Sequence, residues 1–412
     1  MNLQVDAARL THELQVLATF SAAPAPAVTR VVFTEPDRAA RAYVRSLCTA
    51  AGLSLREDAV GNLFARWAGE DPSLPAVCTG SHIDAIPNAG MYDGTVGVLG
   101  ALEAIRALQA TGLRPRRSIE LLMFTSEEPT RFGIGCLGSR LLSGLMDAGA
   151  ASRLRDRDGA TLDDARQAAG FTGAVADVAL PPGQYTAFVE LHIEQGPLLE
   201  QRGIGLGLVT AIAAPASLRV TIDGEGGHAG AVLMPARRDA FLAGAEIALA
   251  VEAAARSTDA IDTVATTGVC HVFPGAVNSV PSRCELEVDV RDIDEGRRDA
   301  VLARVETACV DVAARRRVSV TTQVVNADPP ARCDAAVVDA LTASCVDAGF
   351  ACEPMISRAY HDALFMSRVA PTGMLFIPCR AGVSHRPDEY AAPEDIARGV
   401  HVLALALARL AR

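Results

Sequence analysis

The chain contains no lysine: all 38 of its basic residues are arginine. That absence removes a phosphate-loop lysine, a pyridoxal Schiff base, a serine–lysine amidase and a metal pair bridged by a carbamylated lysine. Several routes to amide hydrolysis go with them. No two of the ten cysteines have CxxC spacing, and Cys48, Cys78, Cys309 and Cys345 lie in apolar contexts. In a long chain this pattern predicts buried thiols, not disulfides or zinc sites. The HExxH helix of zinc proteases is also missing. No apolar run approaches the roughly 18 residues that a membrane span needs. The net charge of −11 offers no general attraction to nucleic acid or to an anionic membrane. The segment MNLQVDAARLTHELQV lacks a basic region followed by an apolar core, so it reads as a first helix and predicts a cytoplasmic protein.

With 412 residues, half of them apolar and 21% charged, the chain can bury a large core as two or three domains, or as one domain interrupted by another. From residue 35 to about 210 helical and strand patterns alternate, and RRSIELLMFTSEE and YTAFVELHIEQGP are apolar on both faces, as in a buried and largely parallel sheet. From about 214 to 326 the order changes to β-α-β-β-α-β, with long helices expected over 235–255 and 295–316. The α/β pattern then resumes. The expected fold class is α/β: a catalytic domain with a mixed, largely parallel sheet flanked by helices (residues 1–212 and 328–412), interrupted by an inserted lid and dimerisation domain (residues 213–327). SAAPAPAV, at 21–28, reads as a flexible surface segment.

Eight histidines are present, few enough to weigh singly. His82 leaves an apolar run at its carboxyl end, where α/β proteins build sites. Asp84 lies on the same side and is placed to hold the far imidazole nitrogen, and Asp93 follows in a glycine-rich loop ahead of a helix. His192 ends another apolar run between Glu190 and Glu194, and His385 follows a third. The adjacent Glu127 and Glu128 end a fourth, and Pro129 is expected to stop that strand. Three imidazoles with carboxylates, and no thiolate, suit zinc, manganese or cobalt. His12, His271 and His401 read as packing or surface residues.

GSHIDAIPNAGMYDG, FTSEEPTRF, ELHIEQGP, GGHAG, GAVNSVPS, AYHDALFM and GVSHRPDEY together resemble the dinuclear-metal amidohydrolases of the aminoacylase/carboxypeptidase superfamily. The resembling branch holds N-carbamoyl-L-amino-acid hydrolases, allantoate amidohydrolases and ureidoglycolate amidohydrolases. SEEPTRFGIGCLGSRLL, GEGGHAGAVLMP and ISRAYHDALFMSR lean towards the last. The resemblance implies two divalent ions per subunit, manganese first and zinc or cobalt as alternatives. His82 and His192 would hold one ion, Glu128 and His385 the other, with Asp93 shared and Glu127 the general base. It implies that His228 reaches across a homodimer to the oxyanion, and that Asn278 and Arg291 grip a substrate carboxylate. Gln195 would contact the ureido group, and Tyr360, His361 and Asp362 would lie at the pocket, with Tyr360 governing substrate choice. Arg131, Arg237 and Arg238 fall within the motifs, with structural ion pairing as likely a role as any. The implied reaction is hydrolysis of a ureido C–N bond in a small carboxylate, (S)-ureidoglycolate first, giving glyoxylate, ammonia and CO2. An N-carbamoyl-L-amino-acid or allantoate substrate is the alternative.

Overall fold

Strands that are apolar on both faces become covered on both faces. In a computed structural model, which describes residues 3–181 and 183–412, Ala76–His82, Ile119–Phe124 and Thr372–Ile377 are buried at every position. Tyr185–Ile193 is buried at all positions but one. These four strands are parallel and form the centre of a nine-stranded sheet in the order 372–377, 185–193, 76–82, 119–124. Antiparallel strands extend it on both sides, Leu63–Trp67 and Ser54–Glu57 at one edge and Gly207–Ile212 at the other, where Ala331–Arg332 and Glu353–Ser357 pair with Gly207–Ile212. The sheet is therefore mixed and parallel at its heart. Parallel strands point one way, so their carboxyl ends share one edge: His82 pairs with Phe124, and His192 with Phe376.

Helices close on this sheet through small residues. In the helices Thr95–Ala110 and Pro393–Leu410, a Cβ at Gly97 would lie 2.5 Å from the Leu191 carbonyl, and one at Gly399 would lie 2.8 Å from Leu191 Cδ1. Glycine at both positions lets two helices sit directly over the Leu191 strand, and each leucine buried there contributes roughly 1.5–3 kcal/mol.

Tertiary contacts divide the chain into two units. The first takes in residues up to Thr210 and again Arg332–Arg412, and the second is Ala211–Ala331. In the second, an antiparallel sheet has the order Val264–Phe273, Arg283–Asp292, Ala214–Asp223, Ser319–Ala327. The helices Ala240–Arg256 and Glu295–Arg316 share its core, where Leu218, Val220, Ile222, Ile247, Val288 and Val301 are buried. Element order within this unit is β-α-β-β-α-β once its shortest pieces are set aside.

Three local expectations need correction. The helix expected from residue 235 begins at Ala240, because Asp239 caps it by accepting the main-chain N–H groups of Phe241 and Leu242. The strand before the paired glutamates ends at Phe124, well before Pro129, and the chain turns at Ser126, whose φ is +56°. The 21–28 segment is tied down: Ser21 Oγ accepts from the N–H groups of Ala23 and Thr29, at 3.0 and 2.9 Å. No helix among the described residues is long and apolar enough to cross a membrane.

Candidate metal centre

Asp93 is shared by three imidazoles. Its Oδ1 lies 3.4 Å from His82 Nε2 and 3.2 Å from His192 Nε2, while its Oδ2 lies 3.3 Å from His385 Nε2. His385 Nε2 is in turn 3.3 Å from Glu128 Oε1. Two ligand clusters result, His82–Asp93–His192 and Asp93–Glu128–His385, joined by one carboxylate. Ligand atoms about 2.0–2.2 Å from a tetrahedral ion stand about 3.3–3.6 Å apart, close to the spacing found here. Gly94, at φ +66°, starts the helix behind Asp93, and a Cβ there would lie 2.4 Å from His82 Nε2. Only glycine leaves that imidazole its place.

Main-chain groups orient the rings. His82 Nδ1 faces the carbonyl of Asp84 at 3.1 Å and His192 Nδ1 faces that of Ile193 at 2.9 Å. Gly94 N–H donates to His192 Nε2. A proton held at Nδ1 leaves Nε2 with its lone pair towards Asp93, the tautomer a cation requires. The clamp on His82 thus differs from the expected one. Asp84 acts on the ring mainly through its carbonyl, while its carboxylate accepts the N–H groups of Glu127 and Glu128 at 3.1 and 3.0 Å. The same residue sets the backbone of the glutamate pair.

That pair divides in two directions. Glu128 reaches His385, whereas Glu127 places Oε2 3.7 Å from His82 Nε2 and Oε1 3.2 Å from the thiol of Cys136. Burial raises the Glu127 carboxyl well above its usual value, against the pull of His82 and with help from Glu128. Burial also raises Glu128. Burial would lower His82, but Glu127, Asp84 and Asp93 more than reverse this. His385 is pushed up to about 11 by its contacts with Asp93 and Glu128. Burial would raise Asp93 as well, but the hydrogen bonds from His192, His385 and His82 outweigh it and hold that carboxyl well below its usual range. Two glutamates that climb and three imidazoles that hold protons around one ionised aspartate describe a site short of positive charge. Divalent cations fit that donor set.

The other expected residues divide by unit. Gln195, at φ +56°, donates from Nε2 to Asp93 Oδ2 at 2.6 Å, and its buried Oε1 has no hydrogen-bond partner among the described residues. The His361 ring meets that of His192 edge-on at 4.6 Å, with Nε2 2.9 Å from Ser357 Oγ. Tyr360 accepts a hydrogen bond from Arg140 at 3.0 Å. Asp362 is buried and accepts from Ser139 Oγ. Glu190 accepts from Ser81 Oγ and Ala363 N–H beneath His192, while Glu194 accepts the N–H groups of Leu198 and Leu199. Arg131 pairs with Asp156 at 3.1 Å.

In the second unit, His228 is exposed on a short strand, Gly227–His228, paired with Ser279–Val280, and the Asn278 carbonyl accepts from Ala229 N–H. Arg237 ties this loop by donating to the Val232 and Ala229 carbonyls, while Arg238 makes a looser, exposed pair with Glu225. Arg291 pairs with Asp289 at 2.7 Å near the far end of Arg283–Asp292.

Two residues at the site escaped the sequence reading. Cys136 is one. The other is Glu389, buried four positions after His385, whose carboxyl is raised to about 7 by burial and by the charge of Asp93. Their motifs, GIGCLGSR and GVSHRPDEY, contain them in plain view, but nothing in composition or spacing marks a contact with Glu127 or Asp93.

A buried carboxylate between two imidazole–carboxylate clusters, at the carboxyl ends of parallel strands, defines a two-metal hydrolase type of centre. Residues 78–409 match the peptidase family M20/M25/M40, and the chain belongs to that family. It is 52% identical to the ureidoglycolate hydrolase of Arabidopsis thaliana, covering 99% of this chain and 87% of that one. It is 37% identical to an N-carbamoyl-L-amino acid amidohydrolase of Geobacillus stearothermophilus, covering 96% of each. The crystal structure of AtUAH in complex with (S)-hydroxyglycine superposes with a TM-score of 0.92 at 51% identity, over 99% of this chain and 98% of that one.

Proposed function

We propose that the chain is a metal-dependent amidohydrolase that cleaves the ureido C–N bond of (S)-ureidoglycolate, working as a homodimer with two divalent ions per subunit. The single observation that carries the reading is Asp93, whose two oxygens serve two ligand clusters. The substrate rests on similarity to the Arabidopsis ureidoglycolate hydrolase. (S)-hydroxyglycine, bound in the similar structure, is also the amine left when a ureido group loses ammonia and CO2 from (S)-ureidoglycolate. Its breakdown gives glyoxylate and a second ammonia.

His82, Asp93 and His192 would hold one ion and Asp93, Glu128 and His385 the other. Manganese is our assignment, and zinc or cobalt suit the same donors. Bound there, the pair would lower the pKa of a shared water towards neutrality. Glu127 is the base: its Oε2 accepts the nucleophile's proton and returns it to the departing nitrogen. Cys136 occupies Oε1, which leaves Oε2 for this work. Gln195, which donates to Asp93, faces the substrate's ureido group, and Tyr360 and His361 line its pocket.

His228 steadies the oxyanion, and Asn278 and Arg291 take the carboxylate, the guanidinium in bidentate fashion. Asn278 belongs to the turn entering the Arg283 end of a strand whose other end carries Arg291. Roughly 27 Å of strand separates them, at about 3.4 Å per residue. One protomer therefore supplies Arg291, and its partner supplies His228 and Asn278, to each carboxylate.

The test is ammonia release, with added manganese, from ureidoglycolate, allantoate, N-carbamoyl amino acids and 3-ureidopropionate. Turnover of ureidoglycolate well above the rest is expected. If it is inert while a carbamoyl amino acid turns over, the second reading, favoured by the Geobacillus relative, replaces the first.

A further inference from the structure

The two halves of the centre are not built alike. His82 and His192 lie within strands, each with Nδ1 held by a main-chain carbonyl. His385 lies in a loop beyond Thr372–Ile377, at φ +59°, with its side chain 45% exposed. A ligand on a loop needs a tie that a ligand on a strand does not.

We propose that Glu389 is that tie: a positioning residue that touches neither substrate nor ion but locks the His385 loop to the Asp93 loop. Its Oε1 accepts the main-chain N–H groups of Tyr92 and Asp93, at 2.8 and 3.1 Å. Its Oε2 accepts that of His385 at 3.3 Å and lies 2.9 Å from Ser384 Oγ. Ser384 Oγ is also 2.7 Å from Asp93 Oδ2, so a second path joins the same loops. One carboxylate thus holds the backbone of the shared ligand and of the exposed ligand, which lie far apart in the sequence.

A second feature points the same way. Gly90 lies against this carboxylate: a Cβ there would sit 2.3 Å from Glu389 Cβ and 2.5 Å from its Oε1. Its φ is outside the left-handed range, so alanine would be excluded by Glu389 and not by its own backbone. The tie has a built seat. Removing it loosens both loops, but Asp93 keeps Gln195 and the imidazoles of His82 and His192 as neighbours whereas His385 keeps no strand, so the ion between Glu128 and His385 is the one lost.

This rests on reading the clusters as a two-ion site, and metal binding by the full chain separates the two ideas. Manganese is titrated calorimetrically into metal-free wild type, Glu389→Ala, Glu389→Gln and Gly90→Ala, with retained metal counted after gel filtration. Wild type should hold two ions and Glu389→Ala one, its second site weakened by about 10–100-fold. Glu389→Gln, which keeps one good acceptor, should fall between. Gly90→Ala should weaken the same site with the carboxylate still present. Melting of the metal-free proteins separates local from global effects: it should fall modestly in Glu389→Ala and Gly90→Ala, which unpair buried N–H groups or crowd a buried carboxylate, and least in Glu389→Gln. Two ions bound to Glu389→Ala as in wild type would overturn the proposal, as would loss of both together with a lower melting temperature. A wild-type chain holding fewer than two ions would sink the two-ion reading itself, and this inference with it.

Discussion

The two sheets of this chain handle polarity in opposite ways. The central strands of the first unit are buried along their length, and acidic groups gather beyond their carboxyl ends and in the loops nearby: Asp84, Asp93, Glu127, Glu128, Asp362 and Glu389 are all buried, as is Glu190 near the end of its strand. In the second unit Arg283–Asp292 alternates, and charge lies on the outside in pairs such as Arg219–Glu287 and Arg283–Asp223. Exposed pairs of this kind contribute at most about 1 kcal/mol each. Backbone strain follows the same division. Of the left-handed residues other than glycine, Ser126, Cys136, Gln195 and His385 lie among the candidate ligands, with Phe33, Asn88 and Ala381 elsewhere in the same unit, whereas in the second unit they are Asp259 and Arg317, both in turns beside helices. One unit concentrates desolvated charge and strain, which costs stability and makes a site. The other is an ordinary scaffold that presents a few exposed residues.

The largest test of that contrast removes one group from each unit. Glu127→Gln should cut turnover by about a thousandfold or more while two ions stay bound, because it removes proton transfer and no ligand. His228→Ala should cost about 100- to 1000-fold, the scale of one oxyanion donor. It should leave both metal content and melting temperature unchanged, since His228 is exposed. Metal loss in Glu127→Gln would show that the two glutamates exchange roles. An unaffected His228→Ala would confine the chemistry to the first unit.

Next in size is a packing comparison. Leu191 lies under two helices that approach through Gly97 and Gly399, so Leu191→Ala should destabilise by about 2–5 kcal/mol in denaturant titration. Val264, 39% exposed on an edge strand, should tolerate alanine within about 0.5 kcal/mol. Equal costs at both positions would erase the distinction between the two sheets.

Much of this was legible in the sequence, for reasons that also explain the rest. Runs apolar on both faces announce a covered parallel sheet, and a histidine or acidic residue at their carboxyl end is visible without coordinates, as at His82, His192 and Glu127. One long helix was legible to the residue: Glu295–Arg316 begins and ends where the pattern does. What stayed hidden depends on contacts between distant segments or on backbone angles. Ser126 turns the chain ahead of Pro129 because of a left-handed φ that no composition rule assigns to serine. Glu389 is tied to Asp93 across 296 residues, and Cys136 reaches Glu127 by closing a loop. Asp84 stands beside His82 in sequence, yet its carboxylate serves the glutamates, a choice made by the fold.

The smallest effect tests the rule that the second unit hides little charge, because Asp292, like Arg298, is an exception to it. Its carboxylate is fully buried and accepts Arg297 Nε at 2.8 Å, Asp294 N–H at 2.9 Å and the hydroxyl of Thr263. Burial by itself would raise this carboxyl, but the hydrogen bonds from Arg297, Thr263 and the Asp294 main chain outweigh it and leave the pKa lowered. A carboxyl lowered by folding adds stability that is fully present above its unfolded value, about 3.9, and is lost as pH falls through the folded value. Arg297→Ala should therefore cost about 1–2 kcal/mol near neutrality, discounted because the guanidinium is partly exposed. The gap in melting temperature between wild type and variant should hold steady from pH 7 to about 5 and close below about 4, where Asp292 takes up a proton in both proteins. A gap that widens in acid would mean that the arginine supports the fold by packing and not by holding a buried charge.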